Sequence, residues 1–276
     1  MGMMKSNFGS ILSEWRSIRH ASQLDLALAT GVSQRHISFV ESGRAQPSRE
    51  LILKLAGGLE LPLRIQNELL LAAGYAPVYR ERPLDLEEMK SVREALERIL
   101  KHHEPYPAIV TNAVWNIVMK NQAASRMIDF CVNQDYRLRL AVESPLNFMR
   151  LMFDMDGLRS HILNWSETGS VLMSRLRREA IANPNSPSAE LIREFREDLD
   201  APSNKQFRPD EPLDPVLPLE LLVDGTRLRL FTMFTTFGTS QDIGLQELRI
   251  DMSFPVDEPT RQFLMIAAAN GITSTG

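Results

Sequence analysis

QLDLALATGVSQRHISFVESGRAQPS, residues Gln23–Ser48, decides the reading of the N-terminal part of this chain. Ser22 stands before it where an N-cap is needed. Asp25 follows three positions on, a capping-box spacing with Asp in place of the more usual Glu or Gln. Leu24, Leu26 and Ala27 lie in a short helix that stops at Thr30-Gly31, where glycine supplies the positive φ of a tight turn. Ser33 caps the next helix, with Ile37 and Val40 as its buried stripe. Gln34, Arg35, Ser38 and Phe39 fall on the other side, and Ser42-Gly43 ends the helix as a C-cap glycine does. Two short helices around a glycine turn form a helix-turn-helix, the geometry that lays its second helix in the DNA major groove.

The flanks extend this unit. Phe8, Ile11, Leu12, Trp15 and Ile18 recur at helical spacing and predict a first helix ending near His20. Pro47-Ser48 opens a fourth helix carrying Leu51, Ile52, Leu55 and Ala56. Pro62 opens a fifth with Ile65, Leu69, Leu70 and Leu71, ending at Gly74. A five-helix bundle over residues 1–76 follows. Gln34 and Arg35 carry the side chains able to pair bidentately with adenine and guanine edges. Phe39 either presses on a thymine methyl or completes the core. Arg44, in the exit loop, is placed for a phosphate.

Composition agrees. The chain has 276 residues, 43% hydrophobic and 24% charged, as an ordinary globular protein of two domains would have. Residues 1–82 carry 10 Lys/Arg against 7 Asp/Glu, and the remainder 21 against 28, so a mildly basic head precedes an acidic body. No apolar run is long enough to span a bilayer, and the N-terminus lacks the pattern of a signal peptide. MGMMKS fits a myristoylation pattern only loosely. Cys131, the single cysteine, allows no intrachain disulfide and reads as a buried small hydrophobe. A cytoplasmic protein without a membrane partner is the expectation. Metalloprotease, nucleophile-elbow, P-loop and dinucleotide fingerprints are absent, and the five histidines lack metal-ligand spacing, so no enzyme, catalytic residue or metal site is expected.

Tyr75–Pro83 mixes prolines and charges and predicts a linker. Leu84–His103 predicts a helix with Leu86, Met89, Val92, Leu96, Ile99 and Leu100 on one stripe, either a connector or a dimer seam. Residues 77–104 thus form a linker and connecting helix before a domain over 105–276. There, IVTNAVWNIVMKN predicts two strands about a turn at Thr111-Asn112, with Trp115, Ile117 and Met119 alternating along the second. Helical patterns follow over 121–131, 145–154, 156–183 and about 187–199. Strands return in VLPLELLV, RLRLFTMFTTFG and GLQELRIDMSFP. In the last, Leu248, Ile250, Met252 and Phe254 are expected inward, and Glu247, Arg249, Asp251 and Ser253 outward. A short helix over about 258–269 closes the chain. The class is α+β, an antiparallel sheet flanked by helices.

The joint order of SQ-x-x-LA, GVS, IS, ESGR and PS resembles the Cro/phage-repressor (Xre-type) helix-turn-helix family over about residues 8–75. PAIVTNAVWN, the DGLR…NW run and FTTFGTSQDIGLQELRID resemble the MmyB-like regulators, which join such a unit to a PAS-like ligand-binding domain. The resemblance implies that Gln23 touches phosphate, that Gln34, Arg35 and the Phe39 position read bases, and that Glu41 is mainly structural. With Ser33, Ser38 and Arg44 these make the expected DNA-binding set. It also implies a cavity between sheet and helices. Expected lining residues are Trp115, Ile117 and Met119 from the early strands, and Met233, Phe234 and Phe237 from a later one. Phe148, Met149, Met152, Phe153, His161 and Trp165 are expected from the helices.

No cofactor is required. An apolar, fatty-acid-like effector is favoured, with Arg150, His161, Asn164 and Arg229 as candidate carboxylate anchors. The expected partners are double-stranded operator DNA, a second copy of the chain in a homodimer, and that small-molecule effector. The alternative is a C-terminal domain that serves only dimerisation or protein docking.

Overall fold

A computed structural model describes residues 8–142, 145–182, 186–195, 216 and 218–270. The chain divides into two units. One holds residues up to Pro83 together with Gly238–Gln246, and the other holds Leu84–Phe237 and Glu247 onward.

In the first unit the capping signals set the helices. These are α1 (Phe8–Ile18), α2 (Gln23–Thr30), α3 (Gln34–Glu41), α4 (Arg49–Gly58) and α5 (Leu63–Ala72). The side chains of Ser22, Ser33 and Ser48 each accept from the backbone N–H three residues on. Gly31 takes φ 66°, as the turn requires. Phe8, Leu12, Trp15, Leu26, Ile37 and Leu55 meet in one core.

Pro62 offers α5 no side-chain cap. Instead, Gln246 Oε1 accepts from Leu63 N at 2.8 Å. The expected linker is likewise held to α5. The buried Asn67 carboxamide accepts from Val78 N and Tyr79 N and donates to Tyr79 O. A segment rich in proline and charge is thus fixed by one amide that satisfies its backbone. Within the same unit Asp242 accepts from Arg82 Nη1 at 3.0 Å, and Ile243 N donates to Arg80 O at 2.8 Å.

The second unit begins with a 3-10 turn at Glu87–Met89 and α6 (Lys90–His102). The expected stripe is split: Met89, Leu96 and Leu100 are buried, whereas Leu86 and Ile99 are exposed. Next come β1 (Ala108–Thr111), β2 (Ile117–Lys120), α7 (Gln122–Cys131), α8 (Gln134–Val142) and α9 (Phe148–Phe153). Then α10 (Trp165–Ala182), α11 (Pro187–Glu194), β3 (Leu219–Val223) and β4 (Thr226–Thr236) follow. The chain passes through α12 (Ile243–Glu247) into β5 (Arg249–Pro255) and ends the described fold with α13 (Glu258–Asn270). The five strands form an antiparallel sheet in the order β2-β1-β5-β4-β3.

Three expectations change. The helix expected over 156–183 starts only at Trp165, after a turn and the 3-10 segment Arg159–His161. A Cβ at Gly157 would lie 2.5 Å from Leu151 O, so the chain bends there too tightly for a regular helix. Trp115 is not on a strand but in the turn, at φ 65°. Along β5 the expected phase fails, because Asp251 is buried as deeply as Ile250. The expected helix over about 187–199 is described only as far as Phe195, and the MGMMKS start lies outside the described residues.

Candidate functional sites: a DNA-reading helix and an apolar cavity

The exposed side of the helix-turn-helix is built from its caps. Ser22 Oγ accepts from Asp25 N at 3.1 Å, and Asp25 Oδ2 accepts from Ser22 N at 2.8 Å. The hydrogen bonds to Ser22 hold the Asp25 carboxyl below its ordinary range. Gln23, at the start of α2, donates through Nε2 to Glu41 Oε2 at 2.6 Å. The same carboxylate pairs with Arg16 at 2.9 Å and is nearly buried. Glu41 therefore fixes Gln23 to the end of α3 and raises the Arg16 pKa by its hydrogen bond.

Along α3, Gln34 and Arg35 are exposed, and Ser38 and Phe39 are half-buried. Ser33 Oγ is occupied as the cap, accepting from His36 N at 3.2 Å. The Phe39 ring carries Arg35 on its face at 5.2 Å and Arg44 at 5.8 Å. A cation over a ring is attracted by the ring's quadrupole, so Phe39 presents two guanidinium groups from one platform. Two arginines, a glutamine and a helix N-terminus can together meet phosphates and base edges.

In the second unit a cavity of about 320 Å3 lies between the sheet and the helices. Its walls are apolar: Met127, Ile128, Leu151, Met152, Leu158 and Leu172 from the helical side, facing Ile109, Leu221 and Leu230 of the sheet. The floor also carries a polar stripe, Asp251, Ser253 and Thr232. Residues opposite one another in antiparallel strands share a face. Asp251 pairs with Ile109 on one side and Phe234 on the other, and all three line the cavity. The outward phase expected of Asp251 and Ser253 is therefore reversed. Met252 and Phe254 lie on the opposite face, where the His103 ring meets the Phe254 ring edge-on at 4.8 Å.

Asp251 adjoins a half-buried charge cluster. Arg175 Nη1 lies 3.8 Å from Asp251 Oδ1 and Arg249 Nη2 lies 3.0 Å from Glu179 Oε1. Glu179 Oε2 also accepts from Trp115 Nε1 at 3.0 Å and from Ser188 Oγ at 2.6 Å. The Arg175 guanidinium lies against Phe234, 3.6 Å from the ring centroid, and against Trp115 at 4.4 Å. Neither Asp251 oxygen has a hydrogen-bond partner. Burial pushes the Asp251 carboxyl up to about 6, against the pull of Arg175 and Arg249. Desolvation likewise lowers Arg175.

Of the residues expected to line the cavity, Ile117, Phe148, Met152 and Phe234 do so. Met119 does not, because the register shifts between Val110 and Thr111: Ile117 then pairs with Thr111, and Met119 with Val110 on the other face. Trp115 and Met149 are fully buried behind the wall. Phe153 stacks on Phe195 and meets Trp165 edge-on, so both leave the cavity for the helical core. Met233 is 53% exposed on the sheet's other face, and Phe237 lies past the end of β4.

The candidate carboxylate anchors also lie elsewhere. His161 Nδ1 contacts Leu222 O, and Asn164 serves Pro218 O and Glu220 N. Arg150 pairs with Glu194, and Arg229 with Glu220. Arg150 and Phe153 instead border a second, wider groove of about 630 Å3. Sequence reasoning missed Asp251, Thr232 and Ser253. Their signal was a carboxylate in a strand buried on both faces. Cys131 is buried, and desolvation drives its thiol up to about 12, which leaves it inert. Among the described residues no group of three or more His, Cys, Asp or Glu could hold a metal ion, and no helix is long and apolar enough to cross a membrane.

A helix-turn-helix unit joined to a sheet domain with an apolar cavity defines a DNA-binding transcriptional regulator with a ligand-binding domain. Comparison with known families agrees. Residues 92–266 match the MmyB-like transcription regulator ligand binding domain, and residues 19–66 match the helix-turn-helix family. The first match spans more than half of the chain, which therefore belongs to the MmyB-like transcription regulators.

An uncharacterized HTH-type transcriptional regulator of Mycobacterium tuberculosis is 37% identical over 71 residues, 26% of this chain and 28% of that protein. The chain thus spans little more than a quarter of that relative. Bacillus subtilis RghRB, also an HTH-type transcriptional regulator, is 32% identical over 117 residues, 42% of this chain and 76% of its own length. A solved RNA-binding Light-Oxygen-Voltage receptor aligns with 98% of this chain and 64% of its own at 12% identity. Its TM-score of 0.28 is too low to bear on the fold.

Proposed function

We propose that the chain is a one-component regulator of the cytoplasm. It binds a pseudo-palindromic operator as a homodimer and senses a small apolar molecule in the cavity of its sheet domain. The observation that carries this reading is the 320 Å3 cavity with aliphatic and Met side chains on most of its wall, in the same chain as an exposed Gln34-Arg35 helix face. A cavity of this size with few polar groups suits one lipophilic molecule. The hydrocarbon part of a fatty-acid-like effector meets that requirement.

In each copy Gln34 and Arg35 read base edges, while Gln23 and Arg44 hold phosphates. Half-sites stand about one helical turn apart. The reading involves no catalytic step.

The test is organic extraction of the purified chain followed by mass spectrometry, with operator selection run before and after extraction. A stoichiometric lipophilic compound whose removal changes DNA affinity supports the sensor. An extract without such a compound, and an affinity unmoved by added lipids, favours a domain that only dimerises.

A further inference from the structure

The cavity floor holds a carboxylate where an apolar ligand would be expected to meet apolar wall. Asp251 is 4% exposed, and both its oxygens are without a hydrogen-bond partner. Buried polar groups are nearly always hydrogen-bonded, and a buried acceptor left unmade is costly, so this exception calls for a donor. No residue at hydrogen-bond distance supplies one. Arg175 Nη1, the nearest cation and itself without a hydrogen-bond partner, stays at 3.8 Å from Oδ1, and its guanidinium lies against the Phe234 and Trp115 rings. Beside Asp251 the floor continues with the Thr232 and Ser253 hydroxyls, 3.4 Å apart.

Charge decides what kind of donor fits. Arg175 and Arg249 balance Glu179 and Asp251, so the cluster is neutral as it stands. A ligand carboxylate would add a second buried anion against Asp251. A ligand ammonium would add a third cation beside the two guanidinium groups. An uncompensated buried charge is strongly disfavoured. A neutral donor satisfies Asp251 and leaves the balance intact.

We propose that the cavity takes an apolar molecule whose polar end is a neutral hydrogen-bond donor, a hydroxyl group, donating to the Asp251 carboxylate. The inference rests on reading the cavity as the ligand site, and it replaces the carboxylate head of a fatty acid with an alcohol. The residues that discriminate head groups are then Asp251 first, with Thr232 and Ser253 beside it. The hydrocarbon lies against Met127, Met152 and Leu172.

The experiment titrates the full chain, stripped of co-purified lipid, with dodecanol, dodecanoate and dodecylamine near neutral pH, by calorimetry. Dodecanol is expected to bind at least ~10-fold more tightly than either charged analogue, the size of one hydrogen bond to a charged group. Asp251→Asn keeps the shape but leaves two guanidinium groups facing one carboxylate, so it should abolish the preference for dodecanol over dodecanoate. Asp251→Leu should weaken dodecanol by ~10-fold or more.

Dodecanoate binding as tightly as dodecanol to the unaltered chain overturns the head-group inference and leaves the cavity as an apolar site. Dodecanol binding unchanged in a folded Asp251→Leu does the same. Failure of all three probes to bind overturns the apolar-cavity reading, and this inference falls with it.

Discussion

Asp251 makes a prediction about stability as well as about ligand. Its folded-state value of about 6 exceeds the ordinary 3.8, so the folded chain holds a proton that the unfolded chain releases between those values. Stability on this account is greatest below about pH 4 and falls as the pH rises through 6. Asp251→Asn removes the fall. At neutral pH the variant should be more stable, and the gain should shrink as the pH drops from 6 toward 4. Denaturant unfolding at several pH values checks this, and a gain that does not change with pH would sink it. At the DNA face the prediction concerns discrimination. Arg35→Ala should relax preference at one base pair by ~1–3 kcal/mol, whereas Arg44→Ala should weaken binding to all sequences alike. Selection from a randomised operator library separates the two. Phe39→Ala would remove the platform under both guanidinium groups and should produce a mixture of those effects.

Among the elements, α1 and α3 approach most closely at Gly9. A Cβ there would lie 2.1 Å from Glu41 O, a backbone atom that cannot swing aside. Gly9→Ala should therefore destabilise the first unit by about 1–3 kcal/mol, read as a lowered thermal midpoint, because overpacking displaces a helix that also carries Glu41 and Gln23. Ser48→Ala, which removes only the cap of α4, should cost about 1 kcal/mol and leave Glu41 in place. The helices of this unit were legible because caps and stripes coincide: Ser22, Ser33, Ser48 and Gly31 each do locally what the sequence says.

The sheet domain was legible in strand number and class but not in facing. Period-2 alternation marks which residues share a side and not which side is the cavity, and both faces of β5 are covered. The bulge that turns Met119 away from Ile117 leaves no trace in composition. Helix α8 escaped notice because QDYRLRLAV has no apolar stripe. Only the Asn133 cap, accepting from Tyr136 N at 2.8 Å, announces it.

For the whole molecule, the proposed function links effector and operator through one chain. Whatever factor the effector changes DNA affinity by, DNA must change effector affinity by the same factor, with about 5- to 150-fold the usual range. Measuring effector affinity with and without operator tests this, and equal values would remove any regulatory role for the cavity. The first unit also depends on residues far along the sequence. Asp242→Ala deletes a buried acceptor for Arg82 and should destabilise that unit by about 1–3 kcal/mol. Residues 1–83 expressed alone lack Asp242 and Gln246, and should unfold at a lower temperature than the same unit in the full chain.

Sequence position 83 is therefore not a clean seam for exchange. A chimera made by one crossover there would set its new Arg82 and Leu63 against the recipient's Asp242 and Gln246, two pairs drawn from different parents. Retargeting this regulator to another operator by grafting calls for two crossovers, with Gly238–Gln246 travelling with the head it completes.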